Sequence, residues 1–105
     1  MMKIRIAALA VLGLTLATAG AWGNPQEAMN KAGCLACHTP DKKLVGPSFK
    51  DIAAKYKGQD VVSKLMEKVR KGGSGVYGPV PMAPNPPDKI NDADLKAAIE
   101  LILKS

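Results

Sequence analysis

Gly33-Cys34-Leu35-Ala36-Cys37-His38 is the stretch around which the rest of the chain can be read. Cys-x-x-Cys-His is the signature for covalent attachment of a c-type haem. Two thiols three residues apart occupy about one helical turn, so both can reach vinyl groups on neighbouring pyrroles. Each adds across a vinyl to form a thioether. His38, the next residue, then lies beneath the ring centre and can place an imidazole nitrogen on the iron.

Three other readings of the motif fit the chain less well. A thioredoxin-like dithiol also uses Cys-x-x-Cys but sits beside a βαβ pattern, and no strand pattern is present here. Structural zinc takes four ligands, whereas the chain offers two cysteines and one histidine in a single five-residue stretch. A plain Cys34–Cys37 disulfide suits an exported protein but leaves the adjacent histidine without a purpose.

Working outward toward the N-terminus, the first 23 residues have the order of an export signal. Lys3 and Arg5 form a positive start, Ile6 to Thr18 an apolar run short for a bilayer, and Ala17, Ala19, Gly20, Ala21 and Gly23 a small-residue cleavage zone. Cleavage is expected after residue 19, 21 or 23, with 21 and 23 preferred. The remaining 82 residues, 24–105, make one small domain. A core of that size is marginal alone. A haem fixed by two thioethers supplies the missing staple and a large apolar body to pack around.

From residue 24 on, 12 lysines and one arginine face nine acidic residues, a net charge of +4. The charges are dispersed and aromatic residues scarce, which excludes the basic stripe with stacking side chains that nucleic-acid binders use. A surface that steers acidic protein partners fits better.

Four helical stretches are expected, and no strand. The first spans Pro25 to Ala32, with Asn24 as cap, Pro25 at the first helical position and Glu27 completing a capping box. The second follows Ser48, with Phe49, Ile52, Ala53 and Tyr56 on one face and Gly58 as its stop. The third follows Asp60, with Val62, Leu65, Met66 and Val69 inward and Gly72-Gly73 as its stop. The fourth follows Asn91, with Leu95, Ala98, Ile99 and Ile102 inward and Lys104 at the negative end of its dipole. Between the third and fourth lie nineteen residues, Gly72 to Ile90, with four glycines and five prolines. An irregular segment of that length is either disordered or functional.

Haem iron takes two axial ligands. His38 is the only histidine, so the second soft donor comes from Met29, Met66 or Met82. Met29 is five residues before Cys34 on the same helix and cannot readily reach the other face of the ring. Met66 fits the inner stripe of the third helix. Met82 alone lies in irregular structure, within Tyr77-Gly-Pro-Val-Pro-Met-Ala-Pro-Asn-Pro-Pro87. His/Met ligation raises the potential of cytochromes c. Prolines narrow the freedom of the unliganded loop and remove N–H donors beside an apolar macrocycle. Pro79 and Pro81 suit that role best; Pro84, Pro86 and Pro87 can also serve simply to delay the next helix.

With Lys-Ala-Gly-Cys-Leu-Ala-Cys-His (31–38), Leu-Val-Gly-Pro and the helix that follows (44–59), Gly-Val-Tyr-Gly-Pro-Val-Pro-Met (75–82) and Ala-Pro-Asn (83–85), the chain resembles the small bacterial class I cytochromes c of the c-551 type along all of residues 24–105. The resemblance implies an all-α class I cytochrome c fold, four helices around one covalently bound haem with the Gly/Pro-rich loop over its distal face. It implies that the Pro47 carbonyl accepts a hydrogen bond from His38 Nδ1. Tyr77 and Lys68 would stand near a haem propionate, although Tyr77 could equally pack on the ring edge and Lys68 be an ordinary solvated lysine. Asn85 would direct its amide to the Met82 sulfur. The family commonly crosses its first and last helices through aromatics; here Met29 and the aliphatic Ile99, Leu101 and Ile102 stand there. The implied function is that of a periplasmic one-electron carrier, monomeric and not an enzyme, without a membrane span once processed. It would take electrons from a quinol-oxidising complex and pass them to a nitrite reductase or terminal oxidase. Docking would be transient, at a haem edge near Cys34, Cys37, Val80 and Pro81.

Overall fold

The computed structural model describes residues 24–105, so the expected export signal and its cleavage points lie outside the described residues. Four α-helices follow in order: α1 Pro25–Ala32, α2 Phe49–Lys55, α3 Val62–Lys71 and α4 Asp92–Leu103. A short 3-10 turn, Cys34–Ala36, sits directly after α1. Among the described residues there is no strand, and the all-α expectation holds.

The helix starts show why these residues coil where they do. Asn24 accepts from the Gln26 N–H at 3.0 Å, and Pro25 follows it at the first helical position, where its missing N–H is no loss. The capping box does not close as expected. Glu27 instead pairs forward with Lys31 at 3.3 Å, the exposed i,i+4 partner of opposite charge. Ser48 accepts from the Asp51 N–H at 3.1 Å and Asn91 from the Asp94 N–H at 2.8 Å, so α2 and α4 are capped by side chains. Asp60 does not cap α3. The helix begins two residues later, and Val61 takes the cap position without a side-chain bond because its hydrocarbon side chain has no acceptor to offer.

Helix α4 is the hub against which α1, α2 and α3 all pack. Leu95, Ala98 and Ile99, at i, i+3 and i+4, place one buried stripe into a core completed by Met29, Phe49 and Ile90. The crossing of α1 over α4 is aliphatic: Met29 is 2% exposed and meets this cluster. A groove of about 290 Å³ remains beside it, lined among others by Met29, Leu35, Phe49, Leu101 and Ile102. Helix α3 is different. Val62, Leu65, Met66 and Val69 pack against the core, yet no residue of α3 is fully buried. The chain's own side chains cover this apolar stripe only in part.

The segment from Gly72 to Ile90 is not one open loop. Gly73 and Met82 exchange both backbone hydrogen bonds at 2.9 Å, closing residues 74–81 into a ring. Residues 83–85 then run back along α3, where the Asn85 N–H donates to the Val69 carbonyl at 3.1 Å. A turn at 86–90, with the Lys89 N–H on the Pro86 carbonyl at 3.0 Å, leads into α4. The N–H groups of residues 72, 73, 75, 82, 85, 89 and 90 therefore have backbone partners despite the five prolines.

Candidate haem-attachment and ligand site

The site begins where α1 stops. Gly33 leaves the helix at φ +82°, a left-handed exit that glycine allows without a Cβ clash, and its N–H returns to the Asn30 carbonyl. The chain then coils tightly over the motif. The N–H groups of Cys37 (3.1 Å) and His38 (2.9 Å) both donate to the Cys34 carbonyl, so two cysteines and the histidine share one turn. Cys34 and Cys37 are half-buried and free, which rules the disulfide reading out for this structure. Burial pushes the Cys34 thiol up, against a weaker opposing pull from its own backbone hydrogen bond.

His38 is held from three directions. Its Nδ1 lies 2.7 Å from the Pro47 carbonyl. A carbonyl can only accept, so Nδ1 carries a proton, and in the neutral ring Nε2 is the nitrogen with the lone pair. The ring of Phe49 stacks beside it, 5.8 Å between centroids and 21° between planes. Gly46 presses its backbone against the imidazole: a Cβ there would collide with Cε1 and stand 2.8 Å from Nδ1. Three backbone bonds keep this arrangement closed, Gly46 N–H to the Cys37 carbonyl (2.8 Å), Phe49 N–H to Thr39 (2.9 Å) and Lys50 N–H to Pro40 (3.1 Å).

Met82 is half-buried and stands in a second cluster at the C-terminal end of α3. Its backbone is paired with Gly73, and Gly72 lies against its carbonyl so closely that a Cβ on Gly72 would collide with that oxygen. Gly72 has φ +68° and ψ −148°, a combination open to glycine. Lys68 reaches the same place; a Cβ on Gly73 would lie 3.5 Å from its ammonium nitrogen.

Asn85, expected to send its amide to the Met82 sulfur, sends it elsewhere. Nδ2 donates to the Ala83 carbonyl at 3.0 Å and the Val69 carbonyl at 3.3 Å. Asn85 is buried, and these acceptors sit on both sides of it, so the amide ties the loop to α3. Tyr77 is 42% exposed at the far end of the 74–81 ring. Lys55 on α2 stands over it, with Nζ 5.6 Å from its ring centroid and 5.9 Å from that of Tyr56. Partial burial raises the Tyr77 phenol, with the nearby Tyr56 and Asp51 adding to it.

One residue escaped the sequence reading. Arg70, in the last turn of α3, donates to the carbonyls of Asn85 (3.0 Å) and Ile90 (2.7 Å) and to the Asp92 carboxylate. The available signal was compositional, since Arg70 is the single arginine among the described residues. The exposed apolar side chains fall on two loops, Leu44 and Val45 on one, Val76, Tyr77 and Val80 on the other.

The donor set suits a covalently held haem. Two unpaired thiols share one turn, one imidazole has Nδ1 committed and Nε2 available, and one thioether sits on a stiff ring. The partly covered stripe of α3 offers apolar surface for a large flat group.

A family model for cytochrome c matches residues 24–105. Cytochrome c2 of Rubrivivax gelatinosus is 54% identical over 82 residues, covering 77% of this chain and 96% of that protein. Cytochrome c-551 of Pseudomonas aeruginosa is 40% identical over 91 residues, 85% of each chain. The crystal structure of wild-type Nitrosomonas europaea cytochrome c552 superposes with a TM-score of 0.68 at 44% identity, covering 75% of this chain and 96% of that one.

Proposed function

The chain belongs to the cytochrome c family, as a small electron carrier with one covalently attached haem c and not an enzyme, and from that premise we propose that it works in the periplasm with Cys34 and Cys37 as the attachment points and His38 and Met82 as the axial ligands. The observation that carries this assignment is the His38–Pro47 bond at 2.7 Å, directly after two unpaired cysteines. It orients the ring, makes Nε2 the metal-facing donor and renders it more electron-rich.

When bound, the haem supplies the one-electron couple; the protein's part is to hold it. Cys34 and Cys37 would hold it as thioethers, each S–H adding across one vinyl group, sulfur to one carbon and hydrogen to the other, with no oxidant or reductant consumed. Gly46 and Phe49 keep the His38 ring from turning, and the Gly73–Met82 pair holds the thioether-bearing backbone in place. Were His38 and Met82 both to hold the iron, no position would be left open for a substrate, and the same two side chains would hold it before and after electron transfer. That favours fast electron transfer with little rearrangement.

Redox partners dock transiently at an apolar surface that includes Val80 and Pro81, near the haem edge at Cys34 and Cys37. The net charge of +4 steers acidic partners toward it. Electrons arrive from a quinol-oxidising complex and leave to a nitrite reductase or terminal oxidase. The carrier is a monomer, exported by residues 1–23. No described helix is long and apolar enough to cross a membrane.

The test uses the full chain expressed with export and haem attachment, recorded as optical spectra of both redox states. A sulfur-to-iron charge-transfer band in the oxidised wild type, absent in Met82→Ala, is the expected result. Oxidised wild type that lacks this band and binds cyanide at once would point to a sensor or peroxidase-like protein instead. The N-terminal residue of the exported protein is expected to be 20, 22 or 24.

A further inference from the structure

Arg70 has no part in attaching or ligating the haem in the reading above. Its side chain is nonetheless only 19% exposed, and it spends its donors on three acceptors 15, 20 and 22 residues downstream. Nη1 takes the carbonyls of Asn85 and Ile90, and Nη2 takes the Asp92 carboxylate. These acceptors mark the exit arm of the Met82 loop, the end of that loop and the first residue of α4. A planar guanidinium can hold such a spread set at once, which a single ammonium cannot do equally well.

The position relative to Met82 gives the contact its consequence. Asn85 is also bound to the Val69 carbonyl through both its backbone N–H and its amide. Neighbouring residues of α3, Val69 and Arg70, therefore hold the chain at Asn85, while Gly73 holds it at Met82. Only Ala83 and Pro84 separate the two anchors, and Pro84 is stiff. A shift of Asn85 has little slack to absorb it before it reaches Met82.

We propose that Arg70 is a positioning residue that keeps Met82 on the iron by clamping the loop's exit arm to α3 and α4. The proposal rests on Met82 being the sulfur ligand. A thioether is a neutral, weak ligand, so the fraction of time it is off the iron depends on how freely its loop can leave. Releasing three charge-assisted hydrogen bonds raises that fraction.

The experiment compares haem-loaded wild type, Arg70→Ala, Arg70→Lys and Lys71→Ala. Lys71→Ala removes an adjacent exposed cation of α3 that pairs with Glu67. Imidazole is titrated into the oxidised proteins while the sulfur-to-iron band is followed, and the temperatures at which that band and the helical signal vanish are recorded separately. In Arg70→Ala, imidazole is expected to displace the sulfur at a concentration lower by about tenfold or more, a modest share of what charged hydrogen bonds are worth. The band should also vanish well below the helix-unfolding temperature. Arg70→Lys should fall between, and Lys71→Ala should match wild type. If both temperatures fall together in Arg70→Ala and imidazole affinity is unchanged, Arg70 is a stability contact only and the proposal is overturned. Should Arg70→Ala fail to load haem, Arg70→Lys decides: a rise in imidazole affinity at unchanged unfolding temperature supports the proposal, and no rise overturns it. A wild type without the band, indistinguishable from Met82→Ala, would instead remove the ligand assignment itself.

Discussion

His38 has its ring nitrogen on the Pro47 carbonyl, its face on Gly46 and a phenyl ring 5.8 Å away. Met82 is held differently, by backbone bonds to Gly73 and a loop tied down further along by Arg70 and Asn85. Both residues lie in isolated antiparallel bridges, His38 with Lys43 and Met82 with Gly73. The first bridge closes a loop of a few residues directly after the Cys34–Cys37 turn. The second closes a ring hung from the end of α3. On the proposed ligation, the contrast teaches how one small chain would present a firm ligand and a releasable one. The imidazole is oriented by contacts to its own atoms. The thioether is placed by the position of the main chain that carries it. Disturbing the loop therefore should loosen sulfur and leave imidazole in place, whereas disturbing Phe49 should damage both.

The largest expected effect tests that last statement. Phe49 is buried at 6% exposure in the core and stacks on His38, so Phe49→Ala should destabilise the whole domain by about 3–5 kcal/mol. Thermal unfolding followed by helical signal and by haem spectrum should show both lost together. Separate transitions would mean that the His38 loop is not built on the core.

Two glycine substitutions divide the regions more finely. Gly72→Ala combines a strained φ with a collision at the Met82 carbonyl, and should cost about 3 kcal/mol. Its sulfur-to-iron band should weaken or disappear while histidine ligation persists. Gly46→Ala sets its Cβ against the His38 ring and should cost about 1–3 kcal/mol. There the fraction of chain that loads haem should fall, because the ring is displaced before the iron arrives. If the two variants gave the same spectrum, the two ligand regions would not be independent.

The smallest effect lies at the tip of the 74–81 ring. Burial raises the Tyr77 phenol, so folding favours its protonated form. A group whose folded pKa is raised contributes fully below its unfolded value, about 10 for tyrosine, and loses that contribution as pH climbs through the folded value. The loop tip should therefore loosen only above about pH 10. Tyrosinate absorbance should show one late-titrating phenol that Tyr77→Phe removes. A late step unchanged in Tyr77→Phe would overturn this assignment.

Much of the molecule is legible along the chain. Helix α1 runs from Pro25 to Ala32 as its cap and composition predict, and the starts of α2 and α4 follow from Ser48 and Asn91. The candidate attachment and ligand residues could be listed because they depend on short spacings and on elimination: two cysteines, one histidine and, from residue 24 on, three methionines. The Pro47 carbonyl came from resemblance and lies where expected beside His38. Other features were misread for identifiable reasons. Glu27 has a lysine one turn on that outcompetes the cap. The Asn85 amide has the Ala83 and Val69 carbonyls within hydrogen-bond reach, and an amide gives its protons to oxygen ahead of a weakly accepting thioether.

What this sequence determined by itself is everything set by neighbours within a turn or two: the helices, the Cys-x-x-Cys-His turn, the glycine exits and the inventory of iron donors. Only the tertiary structure decided what α3 does for the loop that follows it. The Arg70 acceptors lie 15 to 22 residues away, and Lys55 meets Tyr77 across the gap between α2 and the loop. No spacing rule connects such pairs, because they meet only after the helices have packed on α4. A guanidinium among twelve lysines looks like one more solvated cation until the carbonyls it serves have been brought to it.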